Sequence, residues 1–370
     1  MGEKKDLVRS FMAQGLSRDK CLAICGISKN QFYHKPSGGK RGRKKSKQTT
    51  QLVGGQKIKQ NNKDVKSFIR EAFENPQIDY GYHKMTSHLQ LNGYYINHKK
   101  VYRLMKEARL LRVKPVHKAK NYVQYRIVCP EEPLRLMEVD IKQVWIQQEH
   151  RFAYVLTIID VFTRVVLYWT CGYQMRQDQV QYAWQQIIEG YLQPLGVMAW
   201  EVDIEVRSDN GPQFCAKKIQ DFLKKNSLLQ TFTHPYTPQE NGHIESFHAI
   251  LGRSLQGQYF ENLEMLINSL KQFYDFYNFE RIHGSTVKLP PVTFWKQWDL
   301  NHIHRQVLDE KQRKVKFSLK IEKQRVQKVQ LYLREPSVSG NRIQREVLSL
   351  NFLGVNLPEN SNLSKQTAPN

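Results

Sequence analysis

An α/β fold, a mixed five-stranded sheet flanked by helices, is the architecture this sequence predicts, and three observations predict it. Residues 135–146, 151–160 and 164–171 are rich in Val, Ile, Leu, Tyr, Phe and Trp and are separated by short polar turns. They read as an antiparallel meander. After a helix near 177–192, the pattern becomes strand 202–208, helix 213–225, strand 228–233 and helix 238–255, which calls for parallel pairing through right-handed crossovers. Third, the acids are placed as that sheet would use them. Asp140 lies inside the first strand, Asp209 in an Asp-Asn-Gly turn just after the fourth, and Glu245 on the last helix, with thirty-five residues between it and Asp209. Strand, strand end and helix can bring three carboxylates to one point, as divalent metals require.

Composition supplies the partner class. The 370 residues exceed one ordinary domain, and 40% hydrophobic content suffices for a sizeable core. With 57 Lys and Arg against 34 Asp and Glu, the chain carries a net charge of +23. That suits a polyanion, and nucleic acid is the commonest one. An anionic membrane would fit the charge too, but no long apolar run or amphipathic anchor supports it. Cys21, Cys25, Cys129, Cys171 and Cys215 are odd in number and scattered, which argues for reduced thiols in a cytosol-like compartment. Only Cys21 and Cys25 are close, and no second pair completes a zinc site. The opening Met-Gly-Glu-Lys-Lys-Asp has no apolar segment of a secretory signal, so a cytoplasmic location is expected.

The chain divides into five stretches. Residues 1–36 read as a helix-turn-helix-like module in which Ser17 caps a first helix, Gly26 breaks it and Ser28-x-x-Gln31 forms a capping box for a second. Leu16, Leu22, Ile24, Ile27 and Phe32 are its expected core. Residues 37–62, with Lys40, Arg41, Arg43, Lys44 and Lys45 at their centre, read as a basic linker able to neutralise phosphates. Residues 63–128 form a second helical DNA-binding module, with helices at 64–74 and 84–91 and a third capped by Asn97. On that third helix Val101, Leu104 and Met105 face a core, while Lys99, Arg103 and Lys106, with Lys100 beside them, give a basic face for double-stranded DNA. Residues 129–298 hold the catalytic core and a trailing helix. Residues 299–370 are a basic C-terminal region whose alternating Val315-Lys-Phe317-Ser-Leu319-Lys-Ile321 suggests a small β module, ending in a polar, frayed tail.

The helix carrying Glu245 is signposted by Thr237 as N-cap, Pro238 at its first position and Glu240 at its third. Asn241, Glu245, His248 and Ala249 then share roughly one face. Asp140, Asp209 and Glu245, together with I-I-D-V-F-T-R at 158–164, R-S-D-N-G-P-Q-F at 207–214, H-P-Y-T-P-Q-E-N-G-H-I-E-S-F at 234–247 and Y-N-F-E-R-I-H-G at 277–284, resemble the D-D-35-E core of retroviral integrases and bacterial insertion-sequence transposases. With the helices of 63–112, the chain resembles the second reading frame of bacterial copy-out-paste-in insertion sequences over residues 63–298. The resemblance implies a ribonuclease H-like sheet, a bacterial nucleoid setting and a metal-dependent polynucleotidyl transferase that cuts element ends and joins them to target DNA. It also implies a homodimer or larger assembly on the terminal inverted repeats. Two features depart from it. The position seven residues after the catalytic Glu, usually Lys or Arg, is Gly252, with Arg253 next as the candidate DNA contact. The His/Cys zinc unit that precedes retroviral cores is absent from the sequence, which favours the bacterial branch.

Three crowded carboxylates repel one another unless cations neutralise them. Oxygen-only ligands suit Mg²⁺, with Mn²⁺ as a substitute, and two ions about 3.5–4 Å apart would serve an in-line displacement at phosphorus by water or a DNA 3′-hydroxyl. Glu138 shares a strand face with Asp140 and is a lesser candidate. Asp160 reads as structural or DNA-proximal. Asn210 and Asn241 either shape the pocket or touch DNA, and Arg281 and His283 either approach DNA or serve structural bonding. Two other readings stay open from sequence: a DNA-binding regulator from a decayed element, and a metal-dependent nuclease that cuts without joining.

Overall fold

Glycines, capping side chains and strand alternation set most of the element boundaries in the computed structural model, which describes residues 2–34, 45–112, 129–199, 203–233, 241–309 and 314–329. The chain forms two compact units, residues 1–46 and 47–370. In the first, α1 (Gly2–Ala13), α2 (Arg18–Cys25) and α3 (Lys29–Tyr33) close on Val8, Cys21, Leu22 and Ile27. Gly26 takes the left-handed conformation, φ 60°, that ends α2. The Ser28 and Gln31 capping box is formed as expected. Ser17 makes no side-chain cap bond. Leu22, Ile27 and Phe32 are in this core as expected, whereas Leu16 and Ile24 are exposed and α1, unread from sequence, supplies Val8 and Phe11.

The second unit opens on a β-hairpin where a linker was expected. Strands β1 (Gln48–Val53) and β2 (Gln56–Asn61) pair antiparallel across Gly54 and Gly55, both at positive φ, and β1 also pairs with β3 (Tyr94–Tyr95). The basic-linker reading of 37–62 is therefore corrected over its second half, whose polar strands hold by backbone pairing rather than by an apolar pattern. Lys40, Arg41, Arg43 and Lys44 lie outside the described residues. Gly93 packs its backbone against Leu52, whose carbonyl oxygen would be 2.4 Å from any Cβ there.

Helices α4 (Asn62–Glu74), α5 (Tyr82–Leu91) and α6 (His98–Glu107) follow, and Asn97 caps α6 by accepting from the Lys100 N–H at 2.9 Å. Their core, built on Val65, Ile69, Met85, Leu89, Val101, Leu104 and Met105, runs without a break into Phe162, Ile282, Leu289, Phe294 and Ile303 of the later chain. The stretches read as 63–128 and 129–298 thus share one apolar core.

The main sheet has strands β4 (Leu136–Ile146), β5 (Arg151–Asp160), β6 (Val166–Gly172), β7 (Ile204–Ser208) and β8 (Leu228–Phe232) in the order β6-β5-β4-β7-β8. The first three are antiparallel, and β7 and β8 join in parallel, as expected. Period-two alternation divides the side chains between two layers. Met137, Val139, Leu156 and Ile158 pack under α7 (Gln177–Ile187), its π-helical extension Ile188–Leu192, and α9 (Lys217–Lys225). Ile146, Ala153, Val155 and Ile159 pack under α10 (Gly242–Leu255) and α11 (Leu263–Phe279), where Phe247, Phe273, Tyr274 and Tyr277 form an aromatic cluster. The helix expected at 213–225 is split into α8 (Pro212–Cys215) and α9, with Ala216 in extended backbone between them.

After α12 (Pro291–Asp299), strands β9 (Ile303–Asp309) and β10 (Lys314–Leu319) form a hairpin. Phe317 packs edge-on against Phe162 and Phe294, so the expected C-terminal β module is a two-stranded flap on the shared core. Residues beyond 329 lie outside the described residues.

Candidate active site

The even-numbered residues of β4 point at α10. Glu138 is fully buried, and its two oxygens are both used: one lies 2.9 Å from His243 Nδ1 and the other accepts the Ile244 N–H at 2.8 Å. A carboxylate on the strand thereby captures an unpaired N–H at the helix start. Asp140, two residues on, has one oxygen 3.1 Å from His248 Nδ1 and the other accepting from the Ile141 N–H at 2.7 Å. Glu245 lies in the first turn of α10, closer to the helix start than the Thr237 signal implied, since α10 begins at Gly242 behind Asn241. Thr237 itself is outside the described residues.

Asp209 follows β7. The parallel register pairs Glu138 with Arg207, and counting on two residues brings Asp209 level with Asp140. The turn is held by its own side chains: Asp209 Oδ1 accepts the Gly211 N–H at 3.0 Å, and the Asn210 amide donates to the Thr233 carbonyl at 2.9 Å. A Cβ on Gly211 would lie 3.0 Å from that Asp209 oxygen and 2.5 Å from Gln213 Nε2, so a side chain there would have to displace the end of Gln213.

These carboxyls sense one another. Partial removal from water raises the Asp209 pKa, the charge of Asp140 raises it further, and the Gly211 N–H pulls the other way. Glu245 is raised by the same loss of water, then by Asp140 and Glu138. Asp140 is thus the common neighbour of the other two. Among the described residues, no three His, Cys, Asp or Glu side chains are gathered closely enough to hold a metal ion. The acids face one space without closing on it. As a donor set they fit a hard divalent cation: the ligands are oxygens, Asp209 and Glu245 are exposed to solvent, and a cation would relieve the repulsion that raises their pKa values.

The other expected residues fall into three groups. Asp160 is buried and structural, accepting from the Leu134 N–H at 2.9 Å, the Thr163 N–H at 2.7 Å and the Thr163 hydroxyl at 2.5 Å. Arg281 is likewise structural: it grips Asp79 at 2.9 and 3.0 Å and donates to the Gln77 carbonyl, which docks the chain before α5 onto the turn after α11. Asn241 is 5% exposed at the start of α10, and its amide oxygen has no partner among the described residues. Lys45, Lys99, Lys106 and Arg253 are exposed, whereas Lys100 is turned inward to the Gln48 carbonyl at 2.6 Å and Arg103 lies 3.7 Å from Glu107. The basic face of α6 is therefore narrower than expected, because the unforeseen hairpin takes Lys100.

Sequence reading missed the partnerships of His243 and His248 with Glu138 and Asp140. It also missed Lys142, the next even residue of β4, although the alternation that singled out Glu138 reaches it. Tyr82, His83, His98 and Tyr102 gather their rings at the start of α5 and along α6, next to Lys99. Among the described residues, no helix is long and apolar enough to cross a membrane.

Family models described as integrase core domain match residues 130–238 and 227–291, and one described as HTH-like domain matches 59–119. The putative transposase InsK of insertion element IS150 from Escherichia coli K12 is 25% identical over 246 residues, 63% of this chain and 83% of that protein. The transposase InsF of IS3 from the same organism is 24% identical over 241 residues, 62% of this chain and 81% of its own length. Among solved structures, a simian T-cell lymphotropic virus intasome chain aligns with TM-score 0.37 at 16% identity, over 65% of this chain and 74% of its own. The Mos1 mariner transposase catalytic domain aligns with TM-score 0.34 at 17% identity, over 38% of this chain and 70% of its own. The chain carries an integrase core domain behind an HTH-like domain and is a homologue of the insertion-sequence transposases.

Proposed function

We propose that the chain is a DNA transposase that binds the ends of its element and carries out metal-dependent cutting and joining of DNA strands at Asp140, Asp209 and Glu245. One observation supports this: in a chain similar to insertion-sequence transposases, Asp140 lies close enough to Asp209 and to Glu245 for its charge to raise the pKa of both. The net charge of +23 and the exposed Lys99 and Lys106 of α6 supply a surface for double-stranded DNA.

Asp140, Asp209 and Glu245 would hold Mg²⁺, with Mn²⁺ able to substitute, and the bound ions would supply charge neutralisation at phosphorus and activation of the attacking oxygen. The chain's own residues do the positioning. Glu138 fixes the start of α10 to β4, so the helix bearing Glu245 is anchored two residues from Asp140. His248 holds one Asp140 oxygen and so sets the direction of the other. The Asp209 turn is closed by Gly211 and tied to the end of β8 through Asn210, which keeps the third acid level with the first. An element has two ends, which favours a homodimer or larger assembly, acting in the cytoplasm on nucleoid DNA.

The test is an assay of labelled DNA from the flanks of the coding region with Mg²⁺, comparing the native chain with Glu245→Gln. Joined products that disappear in the variant support transposition. Hydrolysis without joining makes the protein a nuclease, and binding with neither reaction makes it a regulator.

A further inference from the structure

Strand β4 and helix α10 meet in three rungs. Glu138 holds His243 and the Ile244 N–H, Asp140 meets His248, and Lys142 lies opposite Gly252, where a Cβ would be 3.7 Å from the Lys142 ammonium and 3.8 Å from its Cε. The periods match: two strand residues advance about 6.6 Å and four helix residues about 6 Å. The first two rungs are closed by complementary groups. The third is not: Lys142 is half-buried and has no ion pair or hydrogen bond among the described residues. A lysine whose ammonium is unmatched, two strand residues from Asp140 and against α10, is an arrangement that an outside anion completes.

We propose that Lys142 contacts a backbone phosphate of the DNA held at the acidic site, with Gly252 keeping the helix bare so that the cation comes from the strand instead. The missing basic residue at 252 is then a relocation and not a loss. A Cβ at 252 would touch the end of the Lys142 side chain at ordinary van der Waals distance, so the two positions address the same space. Arg253, on the next helix position, is 3.9 Å from Asp79 and so is drawn toward the seam instead. This rests on the reading of Asp140, Asp209 and Glu245 as a DNA-joining site.

The test is binding of the full chain, in a Glu245→Gln background, to a fluorescein-labelled mixed-sequence duplex with a free 3′-hydroxyl end, measured across a salt series. A single phosphate contact contributes about one unit to the slope of log affinity against log salt. Lys142→Gln is expected to lower that slope by about one and weaken binding roughly 3- to 10-fold near 0.1 M salt. Lys142→Arg keeps the slope. Lys142→Gln with Gly252→Lys restores it by returning the cation from the helix side. An unchanged slope in Lys142→Gln overturns the proposal. So does a double variant of normal melting temperature that fails to regain it. If the native chain joins no DNA yet the slope still follows Lys142, the joining function has failed and the phosphate contact stands.

Discussion

The seam that ties α5 to the turn after α11 and the edge where β4 meets α10 are both built from charged and polar side chains, yet they are finished in opposite ways. At the seam, Tyr80 is fully buried, donating to the Glu280 carbonyl at 3.3 Å and accepting the Ile282 N–H at 2.9 Å, while Arg281 closes on Asp79 with both oxygens. Burial by itself would raise the Asp79 pKa, but the Arg281 bonds and charge outweigh it and hold the carboxyl below its ordinary value. At the edge, Asp209 and Glu245 are pushed above theirs. One region satisfies its charges internally and gains stability. The other leaves like charges facing one another, and only an outside cation or substrate resolves them.

That contrast is broken most sharply by neutralising the acids. Asp140→Asn, Asp209→Asn or Glu245→Gln should each cost strand joining about a thousandfold or more, the several kcal/mol that charge stabilisation at phosphorus supplies, as read from joined product over time. Asp209→Asn and Glu245→Gln should not lower the melting temperature at neutral pH, because each removes a carboxylate that its surroundings hold above its ordinary pKa.

At the seam the effect falls on stability. Arg281→Ala strands Asp79 beside a buried gap and should cost about 2–4 kcal/mol in denaturant unfolding, while Tyr80→Phe leaves the Ile282 N–H unpaired and should cost about 1–3 kcal/mol. A variant at the seam that lost joining at unchanged stability would erase the distinction between the two regions.

The pH dependence sharpens it further, because the signs oppose. Asp79 has a lowered folded pKa, so its contribution is present above the ordinary carboxylate range near 4 and is lost as pH falls through the lowered value. Asp209 and Glu245 have raised folded pKa values, so stability is highest while they are protonated and declines as pH rises past the ordinary value toward the raised one. Melting curves should show Asp209→Asn gaining over the native chain at pH 7 and not at pH 3.5, with Mg²⁺ raising the native melting temperature at pH 7 and narrowing the gap. The smallest effect belongs to α6: Lys99→Ala should lower the salt slope of DNA binding by about one, whereas Lys100→Ala, already engaged with Gln48, should leave the slope nearly unchanged.

Much of this was legible in the sequence because it rests on short-range patterns. Richness in β-branched and aromatic residues located β4 and β5, the strand-helix succession after Ile204 specified parallel pairing, and spacing singled out Asp209 and Glu245, with Asp140 marked by its place in a strand. Asn97 and Ser28 announced their helices by local capping chemistry. What was missed depends on partners remote in the chain. The β1–β2 hairpin is polar, and its outer strand carries little apolar signal, so it read as a linker. Arg281 could be placed only once its partner Asp79, some two hundred residues earlier, was known. The burial of Asn241 and the pairing of Glu138 with Ile244 depend on how a helix meets a strand, which no single-segment pattern encodes.

The apolar core running from Val65 through Met105 into Ile282 and Phe294 packs α4, α5 and α6 directly against the chain that follows β5 and α11. In a chain that reads DNA with α6 and cuts it at Asp140, as proposed, the span between the two becomes a dimension of the fold, as fixed as a caliper's gap. Inserting residues between α6 and β4 would leave that measure intact, whereas loosening the shared core would blur where the cut falls.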